Sequence, residues 1–150
     1  MAHWDTSGLL KLFMREEDSS TFEALAAAGA VPVTAFIGRH EARAAFLRRE
    51  GEGSLPTGEA DQLYQDFLAD IANGDLTEVP LSPALEAEYA KVLRQCLLHS
   101  PPVFVRTNDA LHLATARLMG EKEFVSADGR QRASAVHLGF TVLPSSLCWP

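Results

Sequence analysis

Apolar positions along this chain follow two alternating patterns. Five short runs, rich in β-branched and aromatic residues, read as strands. They are "AHWD" at 2–5, "VPVTAF" at 31–36, "LTEVPL" at 76–81, "EFVSAD" at 123–128 and "FTVLP" at 140–144. Pro32 suits the start or edge of its strand, because it has no N–H to give to a ladder. Seven longer runs repeat their apolar residues at helical spacing. They are "TSGLLKLFMREE" from Thr6, "SSTFEALAAAGA" from Ser19, "FIGRHEARAAFLRRE" from Phe36, "PTGEADQLYQDFLADIANG" from Pro56, "SPALEAEYAKVLRQCLLHS" from Ser82, "RTNDALHLATARLMG" from Arg106 and "GRQRASAVHLG" from Gly129. Gly29 and Gly74 stand at helix ends, and Ser82 with Pro83 forms a helix start.

Strands alternate with helices, which predicts an α/β fold with a largely parallel sheet. No repeat, low-complexity tract or linker divides the chain, so one domain over 1–150 is expected. In open parallel sheets, sites gather at the carboxyl ends of the strands. Asp5 and Asp128 each stand where a predicted strand ends.

Composition narrows the class. The chain is 47% hydrophobic and 22% charged, which is globular and not disordered. No apolar run is long enough to span a membrane. The N-terminal stretch lacks a basic region and meets charge early, so no signal peptide is expected. Cys96 and Cys148 lie far apart and in no metal spacing, which fits a reduced, cytoplasmic protein. A net charge of −7 argues against a simple nucleic-acid coat. It leaves room for an enzyme that meets phosphates through cations held by acidic residues.

Most acidic residues sit among other charges and read as solvated surface. Four do not. Asp5 could cap the helix that follows, although Thr6 or Ser7 could serve equally. Glu41 lies mid-helix, with Ile37, Gly38, Ala44 and Ala45 as its angular neighbours. Its plainer role is a surface ion pair, for example with Arg48. A buried carboxylate on an apolar stripe instead calls for a compensating cation. Asp109 follows two good caps, Thr107 and Asn108, and suits the helix dipole as a first-turn acid. It also lies between Leu113 and Ala116 on the wheel, at the rim of an apolar arc that runs on to Leu118. Asp128 precedes Gly129 and could cap or form an Asx turn. His112 is a candidate ligand beside Asp109, but a structural histidine bonded to a backbone carbonyl is the plainer reading. A cluster of carboxylates suits Mg²⁺ or Mn²⁺ better than Zn²⁺.

These segments resemble the PIN-domain family. "WDTSGLLKLF" looks like its opening strand and acid, "TAFIGRHEARAAFLRRE" like its glutamate-bearing helix, and "RTNDALHLATA" like its most recognisable segment. "FVSADGRQRASAVHLGF" looks like its strand-then-Asp segment. The nearest subgroup is the VapC-like toxin ribonucleases of toxin–antitoxin pairs. The resemblance spans nearly the whole chain, in order. It implies a three-layer α/β sandwich with a central, mainly parallel sheet flanked by helices. It also implies a Mg²⁺- or Mn²⁺-dependent ribonuclease with Asp5, Glu41, Asp109 and Asp128 as the acidic quartet. Ser7 and Ser126 fall where hydroxyls flank the acids. An RNA substrate, a cognate antitoxin covering the site, and a homodimer are the partners implied; no membrane is.

Arg39, Arg43, Arg48, Arg106 and Arg130 could hold an RNA backbone, against the plainer role of surface arginines. The apolar face of "LLKLF" could meet a partner or the core. Two rival functions stand beside the nuclease. One is a PIN-like binding module without cleavage. The other is an aspartyl-phosphate enzyme of dehalogenase or receiver type using Asp5 as nucleophile.

Overall fold

The computed structural model describes residues 1–146, so Cys148 lies outside the described residues. In chain order the elements are β1 (Ala2–Trp4), α1 (Thr6–Phe13), α2 (Ser19–Ala28), β2 (Val33–Ala35), α3 (Ile37–Gly51), α4 (Glu59–Asn73), β3 (Thr77–Val79), α5 (Pro83–Leu97), α6 (Thr107–Leu118), β4 (Glu123–Val125), α7 (Gly129–His137) and β5 (Thr141–Leu143). Every expected strand and helix is present among them. β2 begins directly after Pro32, as a residue without an N–H requires.

One helix starts later than its sequence suggests. The run from Pro56 becomes helical only at Glu59, because Gly58 takes a left-handed φ of 86°. That conformation is open to glycine and cannot continue a right-handed helix.

The five strands form one sheet in the order β3-β2-β1-β4-β5, with every neighbouring pair parallel. Parallel neighbours need long crossovers, and the helices supply them. Consecutive strand residues point to opposite faces. Phe124 packs with Leu85, Val92, Leu113 and Ala135 of α5, α6 and α7. Its neighbour Val125 packs with Trp4, Leu9, Phe22, Phe46 and Phe67 of the other face. The molecule is therefore a sheet between two helical layers, the expected α/β sandwich.

α1 turns Leu9 fully inward, and Leu10, Leu12 and Phe13 pack partly buried on the same core. That face is core, not free surface. Against expectation, Leu118 leaves the apolar arc of α6 and is 39% exposed. α3 approaches β2 closely at Gly38, where an added Cβ would lie 2.9 Å from Thr34 Oγ1. No helix among the described residues is long and apolar enough to cross a membrane.

Candidate active site

The site grows from two adjacent strand ends. β1 and β4 are parallel and in register, with Trp4 opposite Val125. The next residue of each strand, Asp5 and Ser126, must therefore emerge side by side. The Asp5 N–H donates to Val125 O at 3.0 Å, which carries the ladder one step further.

Asp5 is 4% exposed and both its oxygens are used. Oδ1 accepts the N–H of Gly8 at 2.9 Å, which makes Asp5 the cap of α1. Oδ1 also accepts the Ser7 hydroxyl at 2.7 Å, and Oδ2 accepts the Ser126 hydroxyl at 2.6 Å. Each serine in turn accepts a backbone N–H from the β4–α7 loop, Ala127 to Ser7 at 2.8 Å and Asp128 to Ser126 at 3.0 Å. The two hydroxyls thus tie Asp5 to the loop that carries Asp128. Burial pushes the Asp5 carboxyl above the usual aspartate value, against the opposing charge of His112 and the bonds from Ser126, Gly8 and Ser7.

Glu41 comes from α3, 36 residues beyond Asp5, yet it meets the same place. Its Oε2 accepts the Thr6 hydroxyl at 2.5 Å and faces His112 Nε2 at 3.0 Å. Its Oε1 accepts the Asn108 amide at 2.9 Å. Burial raises the Glu41 carboxyl, but the bond and charge of His112, with Thr6 and Asn108, outweigh it and hold the carboxyl at about 2. The expected pair with Arg48 is not what holds this residue. His112 bonds side chains, Glu41 and His3, in place of the expected backbone carbonyl.

Asp109 and Asp128 share one arginine. Arg106 Nε donates to Asp109 Oδ2 at 2.8 Å, and Nη2 donates to Asp128 Oδ2 at 2.8 Å. Asp128 Oδ1 also caps α7 through the Arg130 N–H at 2.8 Å. Asp109 lies in the first turn of α6, whose cap position is Arg106 and not Thr107 or Asn108.

All four acids line one cavity of about 230 Å³. Ser7, Leu10, Ala45, Arg48 and Asp128 also line a neighbouring groove of about 810 Å³, which adds Arg49 and Arg130. Among the described residues, no three His, Cys, Asp or Glu side chains are drawn into a ready-made coordination group. The acids are instead held by hydrogen-bond donors, with Arg106 serving both Asp109 and Asp128. The donor set is carboxylate oxygen throughout, which fits a hard divalent cation such as Mg²⁺ or Mn²⁺.

The family model described as "PIN domain" matches residues 4–136. The chain belongs to the PIN domain family. This PIN domain also matches solved structures along nearly its whole length. VapC20 of Mycobacterium tuberculosis, a sarcin–ricin loop cleaving toxin, is 19% identical with a TM-score of 0.69, covering 94% of this chain and 97% of that one. A toxin–antitoxin complex from Klebsiella pneumoniae is 20% identical at 0.62, covering 95% and 96%. FitAcB from Neisseria gonorrhoeae is 14% identical at 0.65, covering 95% and 96%. At these identities the likeness is one of fold. No curated protein matches the sequence.

The arginines of this PIN domain divide by partner. Arg39 is tied to Glu78 of β3 through two hydrogen bonds, and Arg43 lies 4.8 Å from the Tyr64 ring centre. Arg48 and Arg130 face the groove. Sequence reading missed Thr6, Asn108 and His3. The first two are polar residues at helix starts, where a capping role is the obvious one. The signal for His3 was a histidine inside a three-residue central strand, where an apolar side chain is the norm.

Proposed function

We propose that this PIN domain is a Mg²⁺- or Mn²⁺-dependent endoribonuclease of the cytoplasm, the toxin of a toxin–antitoxin pair. One observation carries the reading: Asp5, Glu41, Asp109 and Asp128, from four separate segments, line one cavity, and Arg48 and Asp128 of its wall also line a groove that carries Arg130. The four carboxylates would hold the cation. When bound, it supplies Lewis acidity and neutralises charge on the scissile phosphodiester. Asp5, held by Ser7 and Ser126, is the immobile anchor of the set. Arg48 and Arg130 would meet the RNA backbone along the groove.

Both Asp5 oxygens accept hydrogen bonds and the side chain is buried, which suits a fixed ligand better than a phosphate-accepting nucleophile. VapC20 is a sarcin–ricin loop cleaving toxin, and the Klebsiella neighbour is a toxin–antitoxin complex, which supports the nuclease and antitoxin assignments. An antitoxin arginine or lysine would compete for the place Arg106 takes between Asp109 and Asp128. Homodimer formation belongs to the same reading.

Incubation of the purified protein with structured and single-stranded RNA, with Mg²⁺ or Mn²⁺, tests the proposal. Cleavage is expected, and its loss in Asp5→Asn, in Asp109→Asn and in EDTA. Cleavage that persists in all three overturns the metal reading. Binding of RNA with no cleavage under any condition leaves a binding module.

A further inference from the structure

We infer that His3 and His112 form a buried positioning pair that sets the orientation of the Glu41 carboxylate. This rests on Glu41 being a cation ligand, as proposed above. His3 Nε2 lies 3.1 Å from His112 Nδ1, and His112 Nε2 lies 3.0 Å from Glu41 Oε2. The chain runs from the central strand, through α6, to α3.

The proton positions follow from the partners. His112 Nε2 faces two oxygens, Glu41 Oε2 and, at 3.2 Å, Thr6 Oγ1. Thr6 gives its only proton to Glu41, so both oxygens present lone pairs to the ring. Nε2 must therefore carry the hydrogen. In a neutral imidazole Nδ1 is then bare, and it is Nδ1 that meets His3. His3 Nε2–H donates to it, which leaves His3 Nδ1 as a lone pair. His3 Nδ1 is indeed a buried atom without a partner.

The pair is also immobile. His3 is fully buried and His112 is 2% exposed. The His3 ring stacks on Phe124 at 5.2 Å and 20°, and meets His112 edge-on at 5.4 Å and 68°. Glu41 accepts three donors in total, from Thr6, His112 and Asn108. A carboxylate has about four lone-pair sites, so one remains for a cation. A fixed imidazole behind a ligand that also keeps a free lone pair orients without occupying. Residues that bond a ligand from behind typically change cation affinity or activity by about 10- to 100-fold.

The test uses the full chain, first without metal. Long-range ¹H–¹⁵N correlation spectra read the histidine tautomers directly. His112 and His3 are both expected as the Nε2–H form; an Nδ1–H form of His112 overturns the assignment. His3→Phe keeps the stack on Phe124 and removes the donor. It is expected to weaken Mn²⁺ binding, read by titration calorimetry, by roughly 10-fold, the lower end of that range because His3 acts through His112, and His3→Gln, whose amide N–H can still donate, to restore it. In a Glu41→Gln background His3→Phe should change Mn²⁺ affinity no further. An equal loss in both backgrounds overturns the positioning role. If the wild type binds Mn²⁺ with this coupling but cuts no RNA, the ribonuclease reading fails and the pair stands. If RNA is cut and the coupling is absent, the pair fails alone. Should His3→Phe not fold, the wild-type tautomers and His3→Gln still decide.

Discussion

Arg106 and Asp128 are 22 residues apart in the chain and 2.8 Å apart in space. The same guanidinium holds Asp109. Arg106 thus serves as an internal cation for half of the acidic quartet. Arg106→Ala is expected to tighten divalent-ion binding, because the cation no longer displaces a resident charge. Each half-exposed pair is worth up to about 1 kcal/mol, so losing both bounds the gain at roughly 30-fold. Calorimetry at low and high salt checks it, and the gain should shrink as salt screens the wild-type pairs. Weaker binding in the variant would make Arg106 a support of the site in place of a competitor.

Asp5 and Glu41 predict opposite responses to acid in metal-free buffer. Burial raises the folded Asp5 pKa, so its ionised form costs stability above that pKa and the cost disappears as pH falls. Glu41 is depressed from 4.5 to about 2 in the folded state, so it contributes stability above 4.5 that is lost as pH falls through that window. Urea unfolding from pH 7 to pH 2.5 should show Asp5→Asn as stable as the wild type or more so at pH 7. Glu41→Gln should be less stable at pH 7 and flatter in the acid limb. A Glu41→Gln curve parallel to the wild type refutes the depressed value.

Ser126 is fully buried and joins Asp5 to the Asp128 N–H. Ser126→Ala leaves an unpaired carboxylate oxygen and an unpaired N–H, at a cost of about 1–3 kcal/mol. RNA cleavage is expected to fall with it, since the Asp128 loop loses its tie to β1. A thermal melt within a degree of the wild type contradicts the bridge.

Gly38 brings α3 onto β2. Gly38→Ala places a Cβ against Thr34 Oγ1, itself a buried hydroxyl with no partner. Overpacking of this kind costs about 1–3 kcal/mol. Thr34→Ala removes both the obstacle and the orphan, so the double variant should recover most of the loss. Additive losses in a double-mutant cycle would exclude the contact.

The sequence by itself determined every strand, every helix and their order, because those depend on periodicity and on caps within a few residues. Asp5, Ser82 and Asp128 cap the helices that follow them, each through a bond to a backbone N–H two or three residues on. It also singled out the four acids that line the cavity. Only the tertiary structure decided their partners. His112 reaches His3 across 109 residues and Glu41 across 71, and Ser126 reaches Asp5 across 121. No local pattern encodes such pairs. They exist because β1 and β4 lie side by side in register, α6 packs over that part of the sheet, and buried polar atoms take the donors and acceptors that packing leaves within reach.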